Sequence, residues 1–336
     1  MRRLALALLV AAPVGAQQPA PLTAAARAEV IDTVAARMAR MYVSADTARL
    51  IADRLRARLR AGAYDTAAAP ARFAELVTTD LRAVNGDLHL GLRHAGGAGP
   101  GRAPAGPPPA RSTNFGLTKV EVLPGNVGYL EITGFQGAPG YEEAVADALR
   151  FLSRTDALIV DVRRNGGGSG AMSHLVFSHF LGETPVPTIR VVERGTGRDE
   201  IERSVARVPG PRRPDVPLYV LTSQGTGSAA EEFSFVLKNQ GRATIVGDRT
   251  AGAGHMVRAV PAGHGFVVSV SITRVTDPKT GKEWERDGVQ PDLRVPAERA
   301  LEAAHAAALR TVAQQADSSH RALLGLLAEA VDARAA

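Results

Sequence analysis

The residues best suited to catalysis lie in the segment from Gly225 to Glu231. This segment reads Gly-Thr-Gly-Ser-Ala-Ala-Glu and follows the apolar run 217–221. This order predicts a strand, a glycine turn and then a helix that runs to about Gln240. Ser228 falls on the first turn of that helix, where backbone N–H groups are free and the helix dipole is positive. A serine in this position could serve as the nucleophile of acyl transfer, beside an oxyanion hole.

The same residues also have a purely structural interpretation. Ser228 and Glu231 have the spacing of a capping box, in which serine and glutamate satisfy the backbone N–H groups at a helix start. Serine is a favoured N-cap residue whether or not it does chemistry. Taken alone, this segment favours the helix cap, and the other candidate residues have to decide between the two interpretations.

A second candidate segment is the glycine turn from Asn165 to Gly168, which follows the apolar strand 157–160. Three consecutive glycines let the backbone approach a ligand closely and leave N–H groups free to point at it. A plain tight turn before the next helix would use the same residues. The segment therefore indicates a possible oxyanion site without establishing one.

Two more side chains could take part in proton transfer. His89 lies in Gly86-Asp-Leu-His89, within an alternating stretch that predicts a short strand over 87–93. Glu285 follows the single tryptophan, in a polar late segment. A neutral imidazole can accept and return a proton near pH 7. On its own, however, a lone histidine in a strand is more often a half-exposed polar residue, and Glu285 could be surface charge at a turn.

The order of the elements predicts a helical cap followed by a mixed α/β core. Residues 22–86 have apolar side chains at helical spacing. From residue 114 onward strands and helices alternate, which is typical of a sheet flanked by helices, and the hairpins near 115–133 and 256–273 favour a mixed sheet. Strands are predicted at 115–123, 127–133, 157–162, 187–193, 217–222, 243–246, 256–260 and 265–273. Helices of the core are predicted at 139–153, 169–181, 228–240, 297–313 and near 318–333.

We predict four segments along the chain. Residues 1–16 contain two arginines, an apolar stretch and a terminal Ala16, the pattern of a secretory signal peptide with cleavage after Ala16. The cap is expected at 17–94, a Gly/Pro-rich linker at 95–113, and the α/β core with C-terminal helices at 114–336.

Composition narrows the expected location and partners. No apolar run is long enough to span a bilayer, so no integral membrane span is expected. The chain has no cysteine, which suits an exported protein of a bacterial periplasm without disulfides; we expect a periplasmic or secreted chain. Basic residues are dispersed among acids and only 4% of residues are aromatic, so we expect no nucleic-acid partner.

These segments together carry a family resemblance. The chain resembles the serine peptidase superfamily that holds the tail-specific (C-terminal processing) proteases, the tricorn protease core and the modules of interphotoreceptor retinoid-binding protein. The matching segments are 126–132, 157–168, 221–247 and 283–296. The resemblance implies a mixed-sheet core of the crotonase-like, tail-specific protease type, with the helical cap packed on it and an active site in the cleft between them.

Two departures from the tail-specific proteases affect the expected mechanism. Those enzymes carry a PDZ domain between cap and core, where this chain has only the short segment 95–113. They also use a lysine as general base, and Ala253 stands at that position here. PDZ-type recognition of substrate C-termini and a Ser–Lys dyad are therefore not implied.

The tricorn-like arrangement fits the residues better. It pairs the serine with a histidine from the cap and a glutamate late in the core, which match Ser228, His89 and Glu285. The helper serine beside that histidine is Leu88 here. The resemblance thus implies Ser228 as nucleophile, His89 as base and Glu285 as the residue that orients the imidazole. His255, close to the missing lysine, is the second-choice base.

The resemblance also implies an oxyanion hole and a substrate class. The hole would use the N–H of Ala229 and an N–H of Gly166 or Gly167. The expected activity is that of an exported serine endopeptidase acting on peptides or unfolded proteins. The sequence does not decide whether the chain forms a homo-oligomer. The alternative is a non-catalytic binder of retinoid-like or fatty-acid-like ligands, since fold does not fix function. A scaffolding role in the envelope has no positive support.

No metal and no cofactor are expected from the sequence. His174 and His179 are five residues apart on a predicted helix and do not share a face as ligands at positions i and i+4 would. The chain contains no His-Glu-x-x-His motif, and without cysteine it has no Cys/His cluster.

Overall fold

The structure, a computed structural model, describes residues 21–95 and 110–335. The predicted signal peptide and most of the predicted linker lie outside these residues, so the division into segments stays a prediction. Within the described ranges, no helix combines the length and the apolar character needed to cross a bilayer.

Three helices form the N-terminal part of the described chain: α1 Ala24–Met41, α2 Ala45–Arg60 and α3 Pro70–Arg82. Thr23 and Ser44 cap the first two, because their side chains accept hydrogen bonds from backbone N–H groups of the first turn. α3 begins with Pro70, whose missing N–H costs nothing at a helix start. Each of the three helices buries its apolar face and exposes the opposite face, as the periodicity predicts.

These helices pack on an antiparallel sheet, and the two share one hydrophobic core. Its strands are β1 Gly91–His94, β5 Pro187–Glu193, β6 Arg198–Arg203, β9 Met256–Gly263 and β10 Phe266–Thr276. The strand order is β1-β10-β5-β6, with β9 paired to β10. Phe73 of α3 meets Phe266 of β10 edge to face, with ring centroids 5.4 Å apart. Such aromatic pairs add to the stability that burial alone provides.

A second sheet of six strands carries the glycine turn and the nucleophile candidate. Its strands are β2 Leu117–Leu123, β3 Val127–Ile132, β4 Ala157–Asp161, β7 Leu218–Thr222, β8 Thr244–Gly247 and β11 Leu293–Arg294. The order is β11-β8-β7-β4-β3-β2, and all pairings are parallel except that of β2 with β3. Every residue of β4 and β7 is buried, which is typical of parallel strands covered on both faces.

Helices cover both faces of this second sheet. They are α4 Tyr141–Phe151, α5 Gly170–Ser178, α6 Ala229–Asn239, α7 Ala300–Ala313 and α8 Ser318–Ala335. The first three contribute to one buried cluster, and α7 and α8 contribute to another with side chains of the opposite face. The prediction of a mixed α/β fold is confirmed. The adjacent parallel strands β4 and β7 bring the segments that follow them to the same sheet edge, where ligand sites of open α/β sheets lie.

The strand predicted over 87–93 is wrong in its first half. Only Gly91–His94 forms a strand, and the residues before it form a turn. The side chain of Asp87 accepts the backbone N–H of His89 at 2.9 Å. Aspartate readily closes such turns with its own side chain. His89 therefore lies in a tight turn instead of a strand.

The sequence also failed to predict strand β6 and the division into two sheets. β6 pairs with β5 at one end of the antiparallel sheet, and its residues are mostly exposed. An exposed, highly charged edge strand lacks the apolar alternation by which strands are found. Which strands pair with one another depends on long-range packing that spacing alone does not reveal.

Candidate active site

Ser228 occupies a strained turn between β7 and α6. Its backbone angles are φ 52° and ψ −121°, directly before the helix begins at Ala229. Residues other than glycine rarely adopt a positive φ, and such strain is concentrated at functional sites. A serine placed on a sharp strand-to-helix turn is the geometry of a nucleophile elbow. The glycine turn, strand and helix predicted around Ser228 are all present.

Glu231 fixes this turn from within the protein. Its fully buried carboxylate accepts the N–H of Ser228 at 2.9 Å, so the carboxylate half of the predicted capping box is formed. The same carboxylate accepts the Thr250 hydroxyl at 2.5 Å and the N–H groups of Gly252 and Ala253 at 2.7 and 2.8 Å. Burial raises the pKa of Glu231, and these hydrogen bonds oppose that rise. Glu231 therefore joins the serine turn to the loop that leads to His255.

We expect Glu231→Gln to destabilise this region strongly. The amide NH₂ would face N–H donors that now share two carboxylate oxygens, and an unsatisfied buried donor costs about 1–3 kcal/mol. We expect a loss of about 2–4 kcal/mol in the free energy of unfolding, as is usual when a buried network is broken. Urea denaturation followed by tryptophan fluorescence would measure it. The exposed Glu75→Gln is the matched control and should change stability by less than about 0.5 kcal/mol.

The glycine turn packs directly against the serine turn. Gly167 has φ +110°, and a Cβ placed there would lie 2.7 Å from the Cβ of Ser228. No side chain fits in that space, so position 167 requires glycine. The N–H of Gly167 already donates to Asn165 Oδ1 at 2.9 Å. Gly167 is therefore unsuited as an oxyanion donor, because a side chain of its own turn occupies its N–H.

Two other N–H groups fit the expected oxyanion hole. Those of Gly166 and Ala229 have no acceptor within residues 21–95 and 110–335. Both residues line the same cavity as Ser228. Free backbone donors at a helix start are suited to a developing negative charge.

Asp87 is the functional candidate that the sequence reasoning missed. Its side chain is fully buried, and Oδ1 lies 3.3 Å from Nδ1 of His89. Its other oxygen accepts the Tyr42 hydroxyl at 3.0 Å. Burial raises the pKa of Asp87, but the interactions with His255 and His89 outweigh it and hold this pKa far below the ordinary value. The sequence did contain a signal for this contact, because Asp87 stands only two residues before His89 in Asp-Leu-His.

His89 lies at the cavity with its ring held by Asp87. The side chain is 14% exposed. Burial lowers the pKa of His89, but the hydrogen bond and the negative charge of Asp87 outweigh it, and the pKa is raised above the ordinary value. Because Nδ1 faces the carboxylate, Nε2 is the nitrogen available to a substrate or to a serine.

His255 and Glu285 complete the cluster from the other side. Nδ1 of His255 lies 3.5 Å from Asp87 Oδ2 and 3.7 Å from Glu285 Oε2. Glu285 also accepts the backbone N–H groups of Gly254 and His255 at 2.7 and 3.1 Å. Burial raises the pKa of Glu285, which the charge of His255 partly offsets. Glu285 thus holds the His255 segment, whereas the carboxylate in contact with the ring of His89 is Asp87.

The candidate residues meet at one cavity of about 470 Å³. Ser228, His89 and His255 line it together with the free N–H groups described above. An apolar wall of Met256, Val257, Val275 and Trp284 borders them, with Glu232 as the acidic member of the lining. A cavity that combines an apolar wall with a few convergent polar groups is the usual form of a small-molecule or peptide site.

The comparisons with known proteins identify the family of the chain and agree with its fold. The family model described as Peptidase family S41 matches residues 126–295, about half of the chain. The chain therefore belongs to peptidase family S41. The superfamily resemblance predicted from the sequence is confirmed.

Curated relatives are carboxy-terminal processing proteases. The chain is 28% identical over 172 residues to carboxy-terminal processing protease CtpB of Bacillus subtilis, a match covering 51% of this chain and 34% of the relative. It is 30% identical over 169 residues to the carboxyl-terminal-processing protease of Synechocystis, covering 50% and 37%. The chain thus spans about a third of the length of these relatives.

Solved structures share the fold over most of the chain. A photosystem II D1 C-terminal processing protease aligns with a TM-score of 0.52 and 18% identity, covering 81% of this chain and 93% of that one. A lipoprotein from Streptococcus agalactiae aligns with a TM-score of 0.56 and 15% identity, covering 90% and 97%. At such identities the likeness supports the fold.

Proposed function

We propose that this chain is an endopeptidase that hydrolyses peptide bonds through Ser228, with His89 as general base and Asp87 as the group that orients it. The observation that supports this most is the shared cavity. Ser228 and His89 both line it. Asp87 contacts Nδ1 of His89, which leaves Nε2 as the ring nitrogen for the serine. Glu285, which the resemblance implied as the orienting residue, supports the cluster through His255.

The proposed reaction follows from these positions. Ser228 Oγ attacks the substrate carbonyl carbon while His89 takes the hydroxyl proton, giving a tetrahedral intermediate whose oxyanion lies on the N–H groups of Gly166 and Ala229. The protonated His89 then donates that proton to the leaving amine, and the peptide C–N bond breaks. A water molecule, deprotonated by His89 in turn, then attacks the acyl carbon. The bond from that carbon to Ser228 Oγ breaks, His89 returns the proton to Oγ, and the acyl group leaves as a carboxylic acid.

The substrate and location are proposals of the same kind. We infer peptides or unfolded protein segments as substrates, because the cavity beside Ser228 combines an apolar wall with the candidate catalytic groups. Export to the periplasm or medium rests on the N-terminal signal pattern in residues 1–16. The curated relatives act as processing proteases by name, which supports a protein substrate.

A peptide-library experiment tests the proposal and separates the two candidate bases. Protein starting at Gln17 would be incubated with a mixed peptide library, and the products identified by mass spectrometry, for wild type, His89→Ala and His255→Ala. We expect cleavage by wild type, none by His89→Ala, and reduced but measurable cleavage by His255→Ala.

Two results would contradict this assignment. Cleavage that survives in His89→Ala and disappears in His255→Ala would make His255 the base. Absence of cleavage by every form, with co-purification of a lipid, would favour the ligand-binding alternative instead.

A further inference from the structure

Four side chains around the candidate base have the composition and spacing of a metal site. Asp87, His89, His255 and Glu285 each offer one ligating atom, and these four atoms all lie within 4.8 Å of one another. Nδ1 of His89 lies 3.3 Å from Oδ1 of Asp87, and Nδ1 of His255 lies 3.5 Å from the other oxygen of Asp87 and 3.7 Å from Oε2 of Glu285. A tetrahedral Zn²⁺ ion with bonds of about 2.0–2.2 Å places its ligands about 3.3–3.6 Å apart. Because the separations extend to as much as 4.8 Å, the side chains would have to draw together around the ion.

A buried nitrogen without a partner points to a ligand at the same place. Within the part of the chain that the structure describes, Nδ1 of His255 has no hydrogen-bond partner, although the side chain is only 10% exposed. It faces the oxygens of Asp87 and Glu285 at 3.5 and 3.7 Å, which is close enough for charge attraction but without the geometry of a good hydrogen bond. Leaving a buried polar atom unsatisfied costs about 1–3 kcal/mol and calls for an explanation. A cation between this nitrogen and the two carboxylates would give the nitrogen a partner and balance the negative charge beside it.

The charge of the cluster also favours a cation. The side chains of Asp87 and Glu285 are 0% and 8% exposed, so two carboxylates share a nearly dry site. Buried carboxylates require pairing or metal coordination. No lysine or arginine is among the described residues that line the cavity beside Ser228. Two imidazole nitrogens and two carboxylate oxygens suit Zn²⁺ and related transition metals and disfavour Mg²⁺ and Ca²⁺, which prefer oxygen ligands.

An ion can also reach the cluster. A second cavity of about 460 Å³ is lined by His255 and Glu285 of the cluster, together with Glu283 and the arginines Arg274 and Arg286. The cavity beside Ser228 reaches His89 and His255. The cluster is therefore accessible from two directions while its ligands stay largely buried.

We propose that Asp87, His89, His255 and Glu285 bind one Zn²⁺ ion and that this binding switches the peptidase off. Coordination of the ion uses the lone pair of Nδ1 of His89 and an oxygen of Asp87. It therefore releases the proton that is otherwise held between these two groups. The ring of His89 then lacks the carboxylate partner that would stabilise its protonated form, and it no longer accepts the serine proton effectively. The inhibition rests on the proposed function, whereas the binding does not.

The binding is tested without any activity. Untagged Ser228→Ala protein from Gln17 onward would be titrated with Zn²⁺ in competition with a chromophoric chelator, and with Co²⁺ as a spectroscopic probe. We expect one ion per chain, visible absorption typical of tetrahedral Co²⁺, and no displacement by millimolar Mg²⁺.

Variants in the same Ser228→Ala background locate the site. His255→Gln and Glu285→Gln should each weaken Zn²⁺ binding at least about tenfold, which is the lower range for loss of a metal-site group. The matched control is His174→Gln, since His174 is a partly exposed histidine that pairs with Glu232 and Glu202 outside the cluster. It should leave the affinity unchanged. Near-ultraviolet circular dichroism of each variant would establish that the fold is retained.

Three results would overturn the site: no binding above that of a non-specific protein, equal weakening in all three variants, or octahedral Co²⁺ spectra. For the inhibition, wild-type cleavage should fall more than about tenfold with Zn²⁺ at saturation and return with a chelator. Undiminished cleavage by the zinc-loaded protein would contradict the inhibition alone. Wild type that never cleaves would contradict the proposed peptidase mechanism, and the binding titration would still decide the metal site.

Discussion

Ser228→Ala should abolish peptide hydrolysis while leaving the protein folded. The proposed mechanism forms a covalent acyl-enzyme on Ser228 Oγ, and removing the nucleophile of such an enzyme costs about 10⁶-fold in kcat. The residual rate would come only from binding and from the N–H groups of Gly166 and Ala229. Initial rates on a peptide that the library experiment identifies as a substrate would measure the loss.

The control for this variant has to separate chemistry from helix capping. Ser228 precedes α6, and loss of an N-cap serine costs about 1 kcal/mol of stability. Ser44→Ala removes a serine cap whose side chain accepts the N–H of Thr47 at 3.3 Å, whereas the Ser228 side chain makes no such cap bond among the described residues. Ser44→Ala should therefore lower stability at least as much as Ser228→Ala and keep full activity. Hydrolysis by Ser228→Ala above about one hundredth of the wild-type rate would contradict the assignment of the nucleophile.

Asp87→Asn should lower kcat by about 10⁴-fold, the loss typical when the carboxylate behind a catalytic histidine becomes an amide. The amide can present an NH₂ group to Nδ1 of His89, which stabilises the wrong tautomer and leaves the imidazolium without a counter-charge. We expect KM to change little, because Asp87 is fully buried and does not line the cavity beside Ser228. Steady-state kinetics would separate the two constants.

Two further variants make this result specific. Tyr42→Phe removes the hydroxyl that donates to Asp87 at 3.0 Å but keeps the carboxylate, and we expect less than a tenfold loss in kcat, consistent with an indirect contribution. Glu285→Gln should lower kcat less than Asp87→Asn, because Glu285 contacts the segment of His255. If Glu285→Gln had the larger effect, Glu285 would be the orienting group that the tricorn-like resemblance implied.

The local part of the site could be predicted from the sequence. The turn at Ser228, helix α6 and the glycine turn after β4 are all determined by residues within a few positions of one another. Glycine, serine and apolar runs carry direct signals for such turns. Their meeting at one sheet edge also follows, because adjacent parallel strands end on the same side.

The role of Asp87 could not be predicted in the same way. Its partners are Tyr42 and His255, which are far away in the chain. Only packing of the helices on the β9–β10 hairpin brings them together. The prediction of a strand over 87–93 also concealed the role of Asp87. In a strand, Asp87 and His89 would point to the same face but would not be joined by the tight turn in which the Asp87 side chain contacts His89.

The remaining differences have a similar physical origin. The N–H of Gly167 is unavailable because Asn165 folds back on its own turn, a competition that counting glycines does not reveal. The cluster of two histidines and two carboxylates was missed because its members come from three distant segments, whereas sequence motifs for metals depend on short spacings.

The central claim is that Ser228 is a nucleophile activated by His89. The most direct test is labelling of the protein with a fluorophosphonate, followed by peptide mapping of the adduct by mass spectrometry. We predict one adduct per chain, located on Ser228, with labelling slowed at least about 100-fold in His89→Ala, as expected for loss of general-base assistance, and much less in His255→Ala. An unlabelled protein, an adduct on another residue, or equal labelling of wild type and His89→Ala would contradict the claim.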